Sequence, residues 1–296
     1  MVGIAALAGV FSLAGCGDSG ATSAAAGPTP DGTAVIHVVT PTNVYADIVR
    51  SIGGDHVDVH PLIAGADQDP HSYEPTARDQ LAVRTAELVI VNGGGYDDFL
   101  THEVEAAGGR RTVINAYDLA AEGGDNEHVW YDLAAMSKLA GKVGETLGQL
   151  DPADSSEFQA NAETFQSDLT DLTDRQQELK YAHAGQAVAI TEPVPLYLLT
   201  ACGLLNLTPA DFSEAVEEGT DVSARVLQQT LQLFSDHRVR LLVFNEQTSG
   251  PQTEQVHDAA TRNNIPIVGV TETLPAGLSY VAWMAKNLDA IEAALS

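Results

Sequence analysis

Residues 151–185 read DPADSSEFQANAETFQSDLTDLTDRQQELKYAHAG. The apolar positions Phe158, Ala162, Phe165, Leu169, Leu172 and Leu179 fall three, four or seven apart. That spacing is one helical stripe sustained for about six turns. Asp151-Pro152 supplies a start signal and Gly185 a stop. The spacing therefore predicts one helix of roughly 30 residues, about 45 Å long. It lacks the further heptads of a free coiled coil, so it reads as a stiff strut between two bodies.

Outward from that helix, the chain alternates short β-rich runs with amphipathic stretches on both sides. Before it come AVIHVVT (34–40), HVDVHPLI (56–63), LVIVNGG (88–94) and TVINAY (112–117), separated by VYADIVRSI, TARDQLAVRTA and YDDFLTHEVEAA. After it come QAVAIT (186–191), RLLVFNE (240–246) and IPIVGVT (265–271), again with helical segments between. Such alternation predicts an α/β protein of two lobes, each with a mostly parallel sheet. The expected division is an N-terminal lobe over 34–150, a linking helix over 151–185 and a C-terminal lobe over 186–296. No internal sequence repeat goes beyond the shared rhythm.

The first 33 residues are of another kind. Met1 to Gly15 form an apolar run, MVGIAALAGVFSLAG, too short to cross a bilayer as a helix. It fits the apolar region of a signal peptide over 1–15. Leu13-Ala14-Gly15-Cys16 resembles the lipobox of bacterial lipoproteins, in which the cysteine is lipidated and becomes the new N-terminus. No Lys or Arg precedes Cys16, so a translation start further upstream is expected. Residues 16–33 are rich in Gly, Ser, Ala, Thr and Pro and read as a flexible tether.

Composition narrows the function. The 296 residues carry 14 Lys+Arg against 41 Asp+Glu, a formal charge of −27. So acidic a surface repels nucleic-acid phosphates and anionic headgroups, which argues against nucleic-acid partners and against any membrane contact beyond a lipid anchor. Cys16 and Cys202 are the only cysteines, which excludes a disulfide scaffold and a cysteine-based zinc cluster. Cys202, among apolar neighbours, reads as a small buried hydrophobe.

Nine histidines leave a metal site open. His71, in DQDPHSYEPTARD, follows an apolar strand and precedes a helix that Thr76 can cap. His128, in DNEHVWYD, again lies between a strand and a helix, with aromatic neighbours able to exclude water. Loops at the carboxyl ends of parallel strands are where open α/β sheets place ligands. Other groupings are weaker. His56, Asp58 and His60 alternate along one strand and read as a solvated face. His102-Glu103 begins like a metalloprotease helix, but Ala106 stands where its second histidine belongs. The NGGG run at 92–95 lacks the dinucleotide-binding spacing.

DPHSYEPTARD and EHVWYD closely resemble the two histidine motifs of the cluster A-I solute-binding proteins, the zinc and manganese receptors of ABC importers. The closing TETLPAGLSYVAWMAKNLDAI resembles that family's last ligand motif and terminal helix. The resemblance implies one ligand in each of four loops facing the cleft between lobes. His71 and His128 match the first two positions. Glu192, after AVAIT, takes the third, and Glu272 holds the place of the family's usual Asp, one methylene longer. Two imidazoles and two carboxylates around a divalent ion make a neutral site, which is easier to bury than a net charge. The family implies Zn²⁺ or Mn²⁺ as bound cargo; the carboxylates and the short AAEGGDNEH segment, without extra histidines, tilt toward Mn²⁺. Glu246 in FNEQTSG reads equally as a support for the ligands or as an ordinary loop carboxylate.

The expected function is a metal receptor at the outer face of the cytoplasmic membrane. It would be lipid-anchored and monomeric, would hand its ion to an ABC permease, and would have no reaction to catalyse. The alternatives are a zinc hydrolase with three protein ligands, a bound water and Glu192 or Glu246 as base, and an adhesin or metal sensor on the same fold.

Overall fold

The computed structural model describes residues 35–65, 73–120 and 126–296. The signal segment with Cys16, the tether and the candidate ligand His71 lie outside the described residues. Before the long helix the elements run β1 (Ile36–Thr42), α1 (Asn43–Gly53), β2 (Val57–Ile63), α2 (Ala77–Thr85), β3 (Leu88–Val91), α3 (Asp98–Ala107), β4 (Thr112–Asn115) and α4 (Leu133–Leu150). The long helix is α5 (Ser155–His183). It is followed by β5 (Ala187–Ile190), α6 (Leu196–Ala201), β6 (Leu205–Asn206), α7 (Ala210–Glu217), α8 (Ala224–Ser235), β7 (Leu242–Asn245), α9 (Pro251–Arg262), β8 (Ile267–Val270) and α10 (Tyr280–Leu295).

Two four-stranded sheets result, ordered β2-β1-β3-β4 and β6-β5-β7-β8. Every strand pair in them is parallel. The two orders are equivalent, although the sequence shows no repeat. In each sheet the order reverses beside the first strand, so the loops that leave the strand ends on either side of it diverge and open a crevice. The two α/β sheets and the single long helix are the architecture read from the sequence. The strand β6 was not foreseen; it is two residues long, Leu205–Asn206, and exists by pairing with β5.

Helix α5 spans 29 residues, about 43 Å at 1.5 Å per residue. All six residues of the predicted stripe are buried. The helix starts later than Asp151-Pro152 suggests, because the Asp151 carboxylate accepts from the Ala153 amide at 3.1 Å and closes a turn first. It is no isolated strut: α5 packs along α4 and also meets α1 and α10. Gly144 of α4 permits the closest approach, since a Cβ there would sit 2.9 Å from that of Ala162 and 3.1 Å from the Phe158 carbonyl oxygen.

One apolar core runs from Ile36 and Val38 of the first sheet through Trp130, Phe158 and Phe165 to Val268, Tyr280 and Trp283. Smaller clusters cover the outer face of each sheet, around Val39 and Leu100 and around Phe212 and Phe234. Direct bonds cross between the lobes as well. The Asn43 side chain donates to the Leu274 carbonyl at 2.9 Å and accepts from the Leu274 amide at 2.8 Å. Tyr131 donates to the Thr271 carbonyl at 2.8 Å, and Tyr280 to that of Trp130 at 2.6 Å. Residues 34–296 accordingly form one compact unit.

Candidate metal centre

Glu192 and Glu272 each follow a strand of the second sheet by two residues, in the matching steps Ile190-Thr191-Glu192 and Val270-Thr271-Glu272. Strand β7 lies between β5 and β8, and its last residue, Asn245, faces both. The Asn245 amide nitrogen donates to Glu272 Oε1 at 2.9 Å and to Glu192 Oε2. Its carbonyl oxygen accepts from the Gln247 amide at 3.1 Å, which sets the orientation of the group. All three residues are buried, with Glu192 at 3% and Glu272 at 1% exposure. Two carboxylates are thus held side by side by one neutral donor, an arrangement that offers acceptor oxygens to a cation. Gln247 shapes the second loop, its oxygen accepting from the Glu272 amide at 2.6 Å and the Thr273 amide at 2.9 Å.

His128 opens the short 3-10 turn Val129–Tyr131 and is fully buried. Its tautomer follows from Asn126. The Asn126 amide nitrogen donates to the Pro193 carbonyl at 3.2 Å, and its oxygen accepts from the His128 backbone amide at 3.2 Å. That oxygen therefore also accepts from His128 Nδ1, 2.7 Å away. With Nδ1 donating to Asn126, Nε2 is the ring nitrogen left for another partner, and in the neutral imidazole it carries the lone pair. Nε2 lies 3.4 Å from Glu217 Oε1. The Trp130 ring packs 5.1 Å from the imidazole and the Tyr96 ring 5.9 Å from it, centroid to centroid, a dry wall.

Tyr96 connects the two sides, its hydroxyl donating to Glu272 Oε2 at 3.2 Å. Burial, and then the negative charge of Glu272, push the Tyr96 phenol well above its ordinary range, so it stays a donor. The NGGG run places it. Asn92 and Gly93 donate their backbone amides to the Asp97 carboxylate at 2.6 and 2.8 Å, and Asn92 reaches the Glu127 carbonyl at 2.9 Å. Gly93 has φ +79, and a Cβ there would strike the Asn115 side chain at 2.2 Å. A glycine is required by both conformation and space.

Residues 38–294 match the family model described as ZnuA, zinc-uptake complex component A, periplasmic. The chain belongs to this family. The resemblance read from the two histidine motifs leads to the same group of proteins. The manganese ABC transporter substrate-binding lipoprotein PsaA of Streptococcus anginosus is 26% identical over 287 residues, 88% of this chain and 89% of that protein. The manganese-binding lipoprotein MntA of Halalkalibacterium halodurans is 30% identical over 164 residues, 54% of this chain and 52% of that protein, so that match spans about half of each. The periplasmic zinc-binding protein TroA of Treponema pallidum shares the fold, with a TM-score of 0.72 at 23% identity over 88% of this chain and 98% of that one.

In this ZnuA-family chain, the remaining candidates sort by position. Glu246 is exposed and its carboxylate lies over Gly269 of the neighbouring strand. Asn245, one residue earlier, is the residue that contacts Glu192 and Glu272, because consecutive strand residues point to opposite faces. His56 lies off the strand and sits between Asp154 at 3.2 Å and Glu157 at 3.8 Å, at the start of α5. His60 lies 3.2 Å from Asp79. Burial pushes Asp79 up, but hydrogen bonds from Thr76, Tyr73 and His60 outweigh it and hold the carboxylate below its ordinary value. Thr76 and Asp79 close a capping box on α2, and this hub anchors the start of that helix. His102 is exposed on α3. Cys202 is buried, and burial pushes its thiol up to about 12, so it is inert. Tyr96, Asn126, Asn245, Gln247 and Glu217 were not singled out from the sequence. The Asn-x-His spacing of Asn126 was the one local signal among them.

Proposed function

We propose that this chain is an extracytoplasmic receptor for a divalent transition-metal ion, Mn²⁺ or Zn²⁺, which it delivers to a cognate ABC permease. His71, His128, Glu192 and Glu272 are the proposed ligands, with the ion as cargo. The observation that carries the reading is the Asn245 amide holding two buried carboxylates together, with the fully buried His128 ring packed on Tyr96, whose hydroxyl donates to one of them, Glu272. Burying two carboxylates is unfavourable unless an opposite charge joins them, and a divalent ion supplies it. Four protein ligands would close the coordination sphere and leave no position for a hydrolytic water, which favours capture over catalysis. The relatives PsaA and MntA are named for manganese and the structural neighbour TroA for zinc. Two carboxylates in the set lean toward the harder Mn²⁺. Lipidation at Cys16 would hold a monomer at the outer face of the membrane.

The test is metal analysis of protein purified without added metal, followed by competition between Mn²⁺ and Zn²⁺ on the stripped protein. The reading expects one ion per chain, lost in His128→Ala with the apo fold retained. Stoichiometric binding that survives His128→Ala would place the ion elsewhere on the acidic surface.

A further inference from the structure

We infer that His56, Asp154 and Glu157 form a second, weaker divalent-metal site that clamps the first sheet to the long helix. His56 ends the 3-10 turn Gly54–His56 that leads into β2, while Asp154 and Glu157 open α5. One ligand atom from each residue lies within 4.8 Å of the other two. Two ligands on one first-row ion stand up to roughly 4.4 Å apart. Glu157, with its side chain 55% exposed, can therefore close the set by a small rotation. The site lies at the amino end of β2, whereas Glu192 and Glu272 follow the carboxyl ends of β5 and β8. It does not depend on the receptor reading.

An ordinary imidazole–carboxylate pair does not account for this arrangement. His56 Nδ1 lies 3.2 Å from Asp154 Oδ2, and Nε2 lies 3.8 Å from Glu157 Oε2. Nδ1 is fully buried and makes no hydrogen bond to any described residue. In an ordinary pair the ring N–H points at the oxygen; here the separation suffices and the direction does not. An ion shared by two ligands sits off the line that joins them, subtending about 100° at an N···O separation of 3.2 Å. A cation there would satisfy the buried nitrogen, which otherwise has no partner. Asp154 adds an independent sign. It holds the N-cap position of α5, where Asp is strongly favoured as a cap, yet its carboxylate caps no backbone amide. It is turned to His56 instead. The Phe158 ring stands edge-on to the imidazole at 5.4 Å and shields one side. The positive end of the α5 dipole, roughly half a charge, opposes a cation here, but two carboxylates outweigh it. One imidazole and two carboxylates suit a first-row divalent ion, Zn²⁺ ahead of Mn²⁺ by the Irving–Williams order. The ion would tie the turn before β2 to the start of α5, beside the bond from Asn161 to the Ile52 carbonyl at 3.0 Å. Because both carboxylates reach solvent, the ion exchanges, and the site empties in protein purified without added metal.

The experiment titrates metal-stripped full-length protein with ZnCl₂ by calorimetry. It compares the parent chain with His56→Ala, Asp154→Asn and Glu157→Gln. The controls are His102→Ala, an exposed imidazole of α3, and Glu178→Gln, an exposed carboxylate of α5. The parent should show a tight event and a weaker one. His56→Ala should abolish the weaker event. Glu157→Gln changes an exposed side chain and leaves the fold intact; it should weaken that event at least about tenfold, since losing a ligand costs no less than losing its outer support. Asp154→Asn should weaken it as well, and the controls should change neither event. Zn²⁺ should also shift the nuclear resonance of one His56 ring nitrogen, which adsorption on the acidic surface does not do. The inference fails if no binding event up to millimolar Zn²⁺ depends on His56 and Glu157. The tight event is tested by His128→Ala and is untouched by these variants. A single event that is lost in His56→Ala and kept in His128→Ala would sustain this site and overturn the receptor reading.

Discussion

Asn126 fixes the orientation of the His128 ring, a proposed metal ligand, with three hydrogen bonds of 2.7–3.2 Å. Removing it leaves the ring free to adopt the other tautomer and to rotate. Asn126→Ala should therefore lower metal affinity by about 10–100-fold, the usual effect of losing the partner that orients a ligand. Calorimetric titration of the stripped variant checks this, and unchanged affinity would mean that the ring is held by its aromatic walls alone. Asn245 has the complementary task of keeping two carboxylates together without a cation. Its loss leaves them facing each other in a buried place, so Asn245→Ala should destabilise the apo protein by about 1–3 kcal/mol. Urea unfolding measured without and with metal separates that loss from any change in binding, because under the proposed reading a bound ion would take over the neutralising role.

At the scale of elements, the turn from β3 to α3 shows how a local rule becomes a functional position. Gly93→Ala would force a side chain into a left-handed conformation and into the Asn115 amide, which should cost about 1–3 kcal/mol. The loss should be visible in the midpoint of denaturant unfolding, together with weaker metal binding as Tyr96 moves. In the same turn, burial lifts the Asp97 carboxyl from 3.8 to about 6, against the lowering effect of the Gly93 and Asn92 amides. The folded state thus takes up a proton at a pH where the unfolded chain does not. The stabilisation is fully present below about pH 4 and is lost as pH rises through about 6, up to roughly 3 kcal/mol at 1.36 kcal/mol per unit. Asp97→Asn does not titrate, so the stability of the parent relative to this variant should decrease between pH 4 and pH 7. A difference that stays constant with pH would show that the carboxyl is ionised throughout.

The molecule as a whole is two sheets on one core. The long helix, α10 and the Asn43–Leu274 pair tie the lobes together, so large independent lobe motion would have to break buried packing. Unfolding should follow a single cooperative transition. Asn43→Ala should lower its free energy by about 1–3 kcal/mol and raise hydrogen exchange in the 272–278 loop while leaving the transition single. Two resolved transitions would contradict a shared core. The proposed anchor belongs to this scale too. Cys16→Ala should release the protein from membranes, since stable attachment needs two or more acyl chains; retention of the variant would assign the anchoring to something else.

Much of this protein is legible along the chain because its signals are local. The helix stripe from Phe158 to Leu179, the β-rich runs, the Thr76 cap and the turn opened by His128 depend on neighbours a few residues away. Even so, α5 begins at Ser155 because Asp151 closes a turn on Ala153, a local bond that apolar spacing does not show. The strand β6 is too short to have a pattern of its own; its two residues are a strand because β5 lies beside them. Asn245 and Glu246 are adjacent in sequence and differ in role only through the pleat, which turns one toward the carboxylates and the other over Gly269. Asn245 bridges Glu192 and Glu272 because β7 lies between β5 and β8, and strand order is a property of the folded sheet. Glu217 reads in sequence as one more solvated helix-end carboxylate. Its place 3.4 Å from His128 was decided by the packing of the two lobes, because a contact between residues 89 positions apart leaves no mark on the neighbours of either.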